Sequence, residues 1–398
     1  MEDNRRYYSL DALRGIMMML GIVLHASQWY MTEPPGGLPV PLDNSRSYLF
    51  DVIMHFIHSF RMPLFFVLAG FFTSLLVGKR SFKGTYVNRV QRILIPLLLA
   101  IVTILPLTMV MMVSFIASAR FGTHQFLITG SQLETIAAEM NAAGMPADQP
   151  SLGHLWFLYY LLYFYLLIPV CFVVSRWTTK LKLGGIITSA WFCAALSVYT
   201  IMTLWYFRGG VLFEGFIFVE PHPPSLLYYG SFFFLGYLFH SHRGILDTFR
   251  TRLTLFGITS LLLFPLAMYF THMDFATETT QEFHAAAVIS NAFLTWSLIY
   301  FFMGLFLKYL DFQSPWILYV SNSSYWVYLL HMPVVCFIAW LMLPLQLPAL
   351  VKFSVIVLST TGICFLSYHY FVQNTWLGST LNGKKFSAKW PWNDESIR

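Results

Sequence analysis

Charged residues are scarce in this sequence. Only 11% of its 398 residues are Asp, Glu, Lys or Arg, whereas soluble domains carry about 25%. Hydrophobic residues make up 57% of the chain, which excludes an ordinary soluble domain and predicts a polytopic membrane protein. The net charge of +6 comes from short basic flanks between apolar runs. It therefore indicates membrane topology and no nucleic-acid partner.

Several signatures of known chemistry are also missing. The four cysteines lie in apolar runs without CxxC spacing, which argues against a zinc site or a disulfide framework and predicts plain packing. No GxSxG elbow and no metal-binding motif occurs. The N-terminus has no short apolar segment followed by a clean small-residue cleavage site, so we expect the first span to be retained.

Long apolar runs are abundant. A membrane span needs about 20 mostly apolar residues, and the backbone inside lipid must satisfy its own hydrogen bonds, so such runs become helices. We expect an all-α bundle of about ten transmembrane helices over residues 1–373, followed by a tail over 374–398. The predicted spans are about 9–30, 48–77, 93–118, 153–175, 184–206, 223–240, 253–271, 284–307, 315–340 and 350–372.

The basic residues between the spans are distributed unequally. Eighteen Lys and Arg residues fall on one side of the predicted bundle, and only Arg46, Arg120, Arg208 and Lys352 fall on the other. Positive residues favour the cytoplasmic side. The pattern predicts that both termini are cytoplasmic, which requires an even number of spans.

Ionisable residues interrupt three of these apolar runs at similar depths. Arg14 and His25 are eleven residues apart, so they share a helix face about 16 Å apart along the axis. His25, Arg61 and His331 each lie about 24 to 25 Å from the cytoplasmic end of their spans. Such groups are costly in lipid and mark a functional site by default. A helix-end ion pair between Asp11 and Arg14 is the structural alternative for the arginine.

Other polar positions leave a structural and a functional reading open. His331 has Tyr328 three residues before it, so a hydrogen-bonded cluster and a catalytic site are equally consistent. His154 and Trp156, in HLWFL, are typical of an interfacial belt or of an acceptor-binding mouth. His58 is a further candidate for binding the acceptor. It lies on one face with Asp51 and His55, but a metal site there is not expected, because the outer end of a span is commonly polar.

The loop before the third span carries a further basic pair. Arg89 and Arg92, in RVQR, are three residues apart and share a helix face. They can hold phosphates, bind anionic lipid or simply set topology.

In combination these motifs resemble the acyltransferase-3 family of bacterial membrane acyltransferases. The resemblance is carried by Arg14 and His25, by RVQR, by FRMPLFFVLAGFF and by SSYWVYLLH. HSFRMPLFFVLAGFF, HLWFL and the compact build are most similar to members that place succinyl groups on osmoregulated periplasmic glucans. The resemblance implies a protein of the bacterial inner membrane, with acyl-CoA as donor substrate, no permanently bound cofactor and a periplasmic or surface glycan as acceptor.

The resemblance also implies roles for individual residues. His25 is the implied catalytic histidine, and Arg14, Arg89 and Arg92 are the implied contacts for the phosphates of coenzyme A. His331, Asp11 and Arg61 match further motif positions. We place Asp11 with the coenzyme A contacts, and His331 and Arg61 with the catalytic residues.

A mechanism consistent with this resemblance places the phosphates at the cytoplasmic rim and threads the pantetheine arm towards His25. His25 then acts as general base or accepts the acyl group itself. Arg61 or the Tyr328 hydroxyl stabilises the oxyanion. Two rival functions stay open: acetyl transfer to lipopolysaccharide O-antigen or another surface polysaccharide, and a glycan transporter or flippase whose charges line a path.

Overall fold

The computed structural model describes residues 6–34, 42–126, 128–142, 148–212, 219–276, 280–383 and 390, and these form helices and connecting loops without a β-strand. The helices are α1 (Tyr8–Ser27), α2 (Tyr48–Arg89), α3 (Ile95–Val102), α4 (Ile104–Phe121), α5 (Gly130–Ala142), α6 (Trp156–Leu166), α7 (Ile168–Lys180), α8 (Gly184–Ile187), α9 (Trp191–Leu204), α10 (Pro223–Ser241), α11 (Ile245–Thr251), α12 (Leu253–Phe275), α13 (Gln281–Tyr309), α14 (Pro315–Met342), α15 (Ala349–Ser367) and α16 (Trp376–Asn382). The all-α prediction is confirmed.

Seven helices in the described ranges are long and apolar enough to cross a membrane, and the number rises to eight if a bent pair counts as one span. The bent pair joins Gly153–Leu166 to Ile168–Lys180 at an angle of 59°. The chain is thus a multi-pass membrane protein. The predicted count of ten is not confirmed: α9 is shorter than a span, and α10, which contains several Tyr, Ser and Gly residues, is less apolar.

Local sequence explains several helix boundaries. The Ser47 side chain accepts a hydrogen bond from the Leu49 amide and caps the start of α2. Gly122, with φ of +66°, takes the left-handed conformation that ends α4. Within α2 the helical geometry is interrupted at Ser81, in the basic segment predicted to be a loop. A π-helical turn, Val90–Leu94, then leads into α3.

Helix α1 lies inside the bundle and packs most extensively against α14 and α2. We call the side on which α1 begins the near side, and the side on which it ends the far side. Helices α2 and α10 approach closely because Gly70 faces the Phe233 carbonyl and Gly236 faces the Val67 carbonyl. A Cβ at either glycine would overlap the facing backbone, so small residues allow this contact.

The predicted tail from residue 374 begins with a helix that returns to the bundle. In α16 the Leu381 carbonyl accepts hydrogen bonds from Arg92. Residues 384–389 and 391–398 lie outside the described residues. The four cysteines are buried and free, as their positions in apolar runs predicted.

Candidate active site

Three ionisable side chains from three helices meet inside the bundle. His25 in α1 and His331 in α14 have ring centroids 5.4 Å apart. Arg61 in α2 reaches the same region, because its Nη1 and the Nε2 of His331 both lie against Gly21 of α1. The expectation that these groups occupy one layer is confirmed. The layer forms a single cluster in which a guanidinium lies beside two imidazoles.

Gly21 makes room for this cluster. A Cβ built on Gly21 would lie 2.6 Å from Arg61 Nη1 and 3.6 Å from His331 Nε2. The first distance is shorter than a van der Waals contact, so only glycine fits without a shift. Gly21 was not among the sequence candidates, although it lies one turn before His25 on the same helix face.

A third imidazole, that of His154, completes the cluster. His154 belongs to the 3₁₀ turn Gly153–Leu155 before α6, and its ring centroid lies 5.5 Å from that of His331. Its Nε2–H donates to the Leu329 carbonyl at 3.0 Å. The His154 ring is therefore held by α14 and lies inside the protein, away from an exposed mouth.

Trp156, the other candidate in HLWFL, is also a core residue. It is 5% exposed and packs against the rings of Phe66, Tyr160 and Tyr229. It therefore does not lie in an exposed interfacial belt. Its apolar environment explains its position without a ligand.

Backbone carbonyls fix the tautomers of two of the imidazoles. His331 Nδ1 lies 2.7 Å from the Tyr328 carbonyl and 3.0 Å from the Val327 carbonyl. Because a carbonyl can only accept, the proton is on Nδ1 and the Nε2 of His331 carries the lone pair. By the same argument the lone pair of His154 is on Nδ1. Neither of these two buried nitrogens has a hydrogen-bond partner among the described residues, so the site presents two unprotonated ring nitrogens.

The His25 ring is oriented by the 3₁₀ turn Gln28–Tyr30 that follows its helix. Its Nδ1 lies 3.3 Å from Gln28 Oε1, one turn further along the chain. With the amide oxygen in this position Nδ1 is the donor, and Nε2 is left as a basic nitrogen. Gln28 is a second residue that the sequence candidates did not include.

Tyr328 supports the cluster from one side. Its hydroxyl donates to the His154 carbonyl at 2.5 Å, and its ring centroid is 5.8 Å from that of His154 and 6.2 Å from that of His331. The hydroxyl proton is thus engaged by the turn that carries His154. In this conformation Tyr328 fixes the position of an imidazole.

His58 lies three residues before Arg61 on α2. Its Nε2 contacts the Leu212 carbonyl in the loop after α9, and its ring lines a far-side cavity. The neighbouring Asp51 accepts hydrogen bonds from the Thr32 amide and hydroxyl and from the Glu33 amide. Asp51 therefore holds the loop after α1. No group of three His, Cys, Asp or Glu residues that could hold a metal ion is present in the described part of the chain.

The predicted cations meet on the near side around a cavity of about 300 Å³. Arg14 donates to Ser321 Oγ at 2.7 Å and pairs with Asp11 at 3.3 Å, so the helix-end ion pair is present. Asp11 in turn pairs with Arg6 at 2.9 Å. The cavity walls include the side chains Asp11, Arg14, Lys79, Arg89 and Arg92.

Arg89 and Arg92 both face this cavity, as their spacing predicted. Arg89 donates to Thr73 Oγ1 at 3.0 Å and lies over the Tyr165 ring at 4.9 Å. Arg92 donates to the Leu381 carbonyl at 2.9 and 3.2 Å. Several cations around one cavity create a positive potential that favours a polyanionic ligand.

The cavity does not reach the histidine cluster. Aromatic side chains lie between the two: the rings of Phe65 and Phe157 are 5.6 Å apart, and those of Phe157 and Tyr328 are 6.0 Å apart. His25 is absent from the described cavity walls. The structure therefore agrees with only part of the sequence interpretation, in which the pantetheine arm passes from the cations to His25. The cations surround a cavity, but aromatic rings fill the space where the passage was expected.

Comparison with known proteins assigns this architecture to a family. Residues 7–369 match the acyltransferase-3 family model, described as an acyltransferase domain. The chain is similar to glucans biosynthesis protein C of Salmonella typhimurium and of Salmonella typhi, with 26% identity over 397 residues and 95% of each chain covered. It is 25% identical to the protein of the same name from Salmonella paratyphi B. No solved structure matches.

Proposed function

This chain belongs to the acyltransferase-3 family and is a membrane O-acyltransferase, and from that premise we propose that it moves a succinyl group from acyl-CoA to a hydroxyl of a periplasmic glucan. The observation that carries the proposal is the cluster of His25, His331 and Arg61 inside the bundle, beyond a cation-lined cavity. The names of the similar proteins, which refer to glucans, support a glucan as the acceptor.

The near-side cavity is the proposed donor site. Coenzyme A carries several phosphates, and guanidinium groups bind phosphate through charge-assisted hydrogen bonds. Arg14, Arg89 and Arg92 supply these groups around one opening. The cavity of about 300 Å³ is at the lower limit of pockets for drug-sized ligands, so we infer that it takes the pantetheine arm while the phosphates stay at the rim. For the thioester to reach His25, the rings of Phe65 and Phe157, which lie between the cavity and the cluster, move aside.

The near side is the proposed cytoplasmic side. Most basic residues between the predicted spans fall on the side where α1 begins, which the positive-inside rule assigns to the cytoplasm. Acyl-CoA is then taken from the cytoplasm, and the acceptor enters from the opposite face in the periplasm.

The proposed chemistry begins at His25. Its Nε2 takes the proton of the acceptor hydroxyl while the hydroxyl oxygen attacks the thioester carbonyl carbon. The negative charge that forms on the carbonyl oxygen is stabilised by the Arg61 guanidinium, which lies against Gly21 inside the bundle. The carbon–sulfur bond then breaks, and the imidazolium of His25 returns the proton to the leaving thiolate of coenzyme A.

His331 is placed to assist this step. The lone pair of His331 Nε2 is buried beside His25 and Arg61, so it can accept a hydrogen bond from the imidazolium or from the acceptor hydroxyl. We assign Tyr328 a positioning role, since its hydroxyl holds the His154 turn.

A covalent route uses the same atoms in a different order. His25 Nε2 attacks the thioester, the thiolate leaves, and the acceptor hydroxyl then attacks the acyl-imidazole. Two imidazoles within 5.4 Å favour this route as a second candidate, because His331 can act as the base for the hydroxyl. Mass spectrometry of the acid-quenched enzyme, incubated with acyl-CoA alone, distinguishes the two by the presence or absence of an acyl increment on His25.

Two rival functions remain as outcomes of the test. A smaller acyl group is accommodated by the same cluster, so acetyl transfer to a surface polysaccharide uses the same residues. A transporter or flippase also places charges within the bundle, but it would leave the thioester intact.

The test is turnover by the purified full-length protein with labelled succinyl-CoA or acetyl-CoA and glucan or O-antigen acceptors. We expect label on the glucan from succinyl-CoA. His25→Ala is expected to lower the rate by at least about 10³-fold, because base and acid are lost together. His124→Ala is the matched control, since His124 is an exposed imidazole stacked on Trp340, outside the cluster. Normal turnover by the His25→Ala protein would disprove the assignment, and an uncleaved thioester would favour transport.

A further inference from the structure

The far side carries a second cavity, of about 200 Å³, that the chemistry above does not use. Its walls come from the loop after α1, from the first turns of α2 and from the end of α12. They include Tyr48 at the start of α2 and Glu33 in the loop. The cavity therefore opens on the side opposite to the arginine-lined donor site.

The chemistry of this far-side pocket combines aromatic and polar groups. Tyr48 is 56% exposed although it is a large ring, and Phe275 lies in the same walls. Glu33 Oε2 and His272 Nδ1 form a 2.8 Å pair in which both side chains are about half exposed. No Lys or Arg occurs among the described wall residues, so the pocket does not attract an anion.

The pocket is joined to the histidine cluster through α2. His55 and His58 both line it, and Arg61 follows His58 by three residues, a rise of about 4.5 Å. His55 Nε2 is buried and has no hydrogen-bond partner in the described residues, so this nitrogen is left for a ligand. A ligand in the pocket would thus lie one to two helical turns from the proposed reaction centre.

The loop that forms one wall is held rigidly. Asp51 in α2 accepts hydrogen bonds from Thr32 and from the Glu33 amide at 2.8 to 3.0 Å. These contacts fix the backbone that carries the Glu33 side chain. A wall that is ordered before binding lowers the entropic cost of holding a ligand.

We propose that the far-side pocket is an acceptor subsite that binds one sugar unit of a neutral glycan, which rests on the proposed function. Aromatic faces contact the C–H face of a sugar ring, and a carboxylate and an imidazole at the rim bond its hydroxyls. A volume of about 200 Å³ lies below the range of about 300 to 1,000 Å³ for drug-sized ligands. The pocket volume therefore suits one sugar unit of a longer glycan, and a neighbouring sugar unit of the same glycan reaches the histidine cluster.

The experiment measures equilibrium binding of a neutral β-linked glucose oligosaccharide to the full-length protein in phosphatidylcholine nanodiscs, without acyl donor. Tyr48→Ala is expected to weaken binding about three- to tenfold, the effect of losing one aromatic contact. Tyr48→Phe is expected to stay within about twofold, since it keeps the ring. Tyr269→Ala is the matched control, because Tyr269 is 54% exposed on α12 but does not line the pocket.

Glu33→Gln provides an independent variant, because Glu33 is half exposed and its loss does not depend on repacking. We expect it to weaken binding of the oligosaccharide and to raise the KM for the acceptor without raising the KM for acyl-CoA. Equal binding by Tyr48→Ala, Glu33→Gln and the unchanged protein would overturn the subsite.

The outcome separates this subsite from the acyl-transfer proposal. Sugar binding that depends on Tyr48 but is accompanied by no transfer would retain the subsite and reject the proposed reaction. Acyl transfer at an unchanged rate and acceptor KM in the Tyr48→Ala and Glu33→Gln proteins would retain the proposed reaction and reject the subsite. Loss of sugar binding when phosphatidylglycerol replaces phosphatidylcholine would identify a lipid headgroup as the occupant and would also overturn the proposal.

Discussion

Replacing Gly21 with Ala tests the geometry of the histidine cluster without removing any of its ionisable groups. The added Cβ would lie 2.6 Å from Arg61 Nη1, whereas ordinary contacts lie at 3.4 to 4 Å. The guanidinium must therefore retreat by about 1 Å. It sits at the end of a flexible side chain, so we expect a stability cost near the lower end of the range of about 1 to 3 kcal/mol for overpacking.

The effect on catalysis is expected to be larger than the effect on stability. A misplacement of about 1 Å at a reacting centre can lower a rate about 10²-fold. Gly21→Ala is therefore expected to reduce kcat between about 10- and 100-fold while the KM for acyl-CoA stays within about twofold, because the arginine-lined cavity is unchanged.

The assay is turnover of labelled succinyl-CoA by purified protein, combined with thermal unfolding followed by tryptophan fluorescence. Gly362→Ala and Gly78→Ala are matched controls, because a Cβ at either helical position meets nothing within 4 Å. Both are expected to keep full activity and to gain up to about 1 kcal/mol of stability. Unchanged kcat in the Gly21→Ala protein would refute the inference that the position of Arg61 matters for the reaction.

Two further predictions concern the near and far sides of the bundle. Arg92→Ala is expected to raise the KM for acyl-CoA at least about tenfold, the effect of losing one hydrogen bond to a charged group, while kcat stays within about threefold. Arg120→Ala, which removes an exposed arginine paired with a glutamate, is the control. An unchanged KM in the Arg92→Ala protein would count against the donor site. Lys352 and Asp43 form a 2.8 Å pair whose side chains are 3% and 2% exposed; Lys352→Met should destabilise the protein by about 3 to 5 kcal/mol because it leaves a buried carboxylate unpaired, and adding Asp43→Leu should restore much of the loss. Thermal unfolding measures the stability of the Lys352→Met variant and of the double variant. Equal unfolding midpoints for these two proteins would contradict this reasoning.

The sequence predicted the depth of the histidine cluster in the bundle better than it predicted which residues belong to the cluster. His25, Arg61 and His331 stand out because each interrupts an apolar run, and helical rise alone puts them in one layer. Because His154 precedes an apolar run, its position predicts the outer end of a span, in an interfacial belt or an acceptor-binding mouth. The turn that carries it lies inside the bundle, where its ring donates to the Leu329 carbonyl.

The residues that the sequence did not reveal act through shape. Gly21 matters because Arg61 lies against it, and no pattern within α1 reports the position of a side chain from α2. The ring pair of Phe65 and Phe157 belongs to an ordinary apolar run in each helix. Only their contact at 5.6 Å makes them part of the layer that separates the cavity from the cluster.

The number of spans shows a similar limit. Hydropathy counts residues along the chain, so it treated 153–175 and 184–206 as complete spans. The structure bends the first at Leu167 and divides the second into a four-residue helix and a fourteen-residue helix. Helix length and direction depend on the neighbours against which each segment packs.

By itself the sequence determined that the chain enters a membrane as helices, because the cost of burying charge and unpaired backbone in lipid is a local property of each segment. It also fixed which few ionisable groups must be shielded within the bundle. The tertiary structure decided which of them meet, since the rotation and crossing of the helices set the distances between side chains far apart in the chain. The 5.4 Å approach of His25 to His331, across a separation of about 300 residues, is a result of that packing.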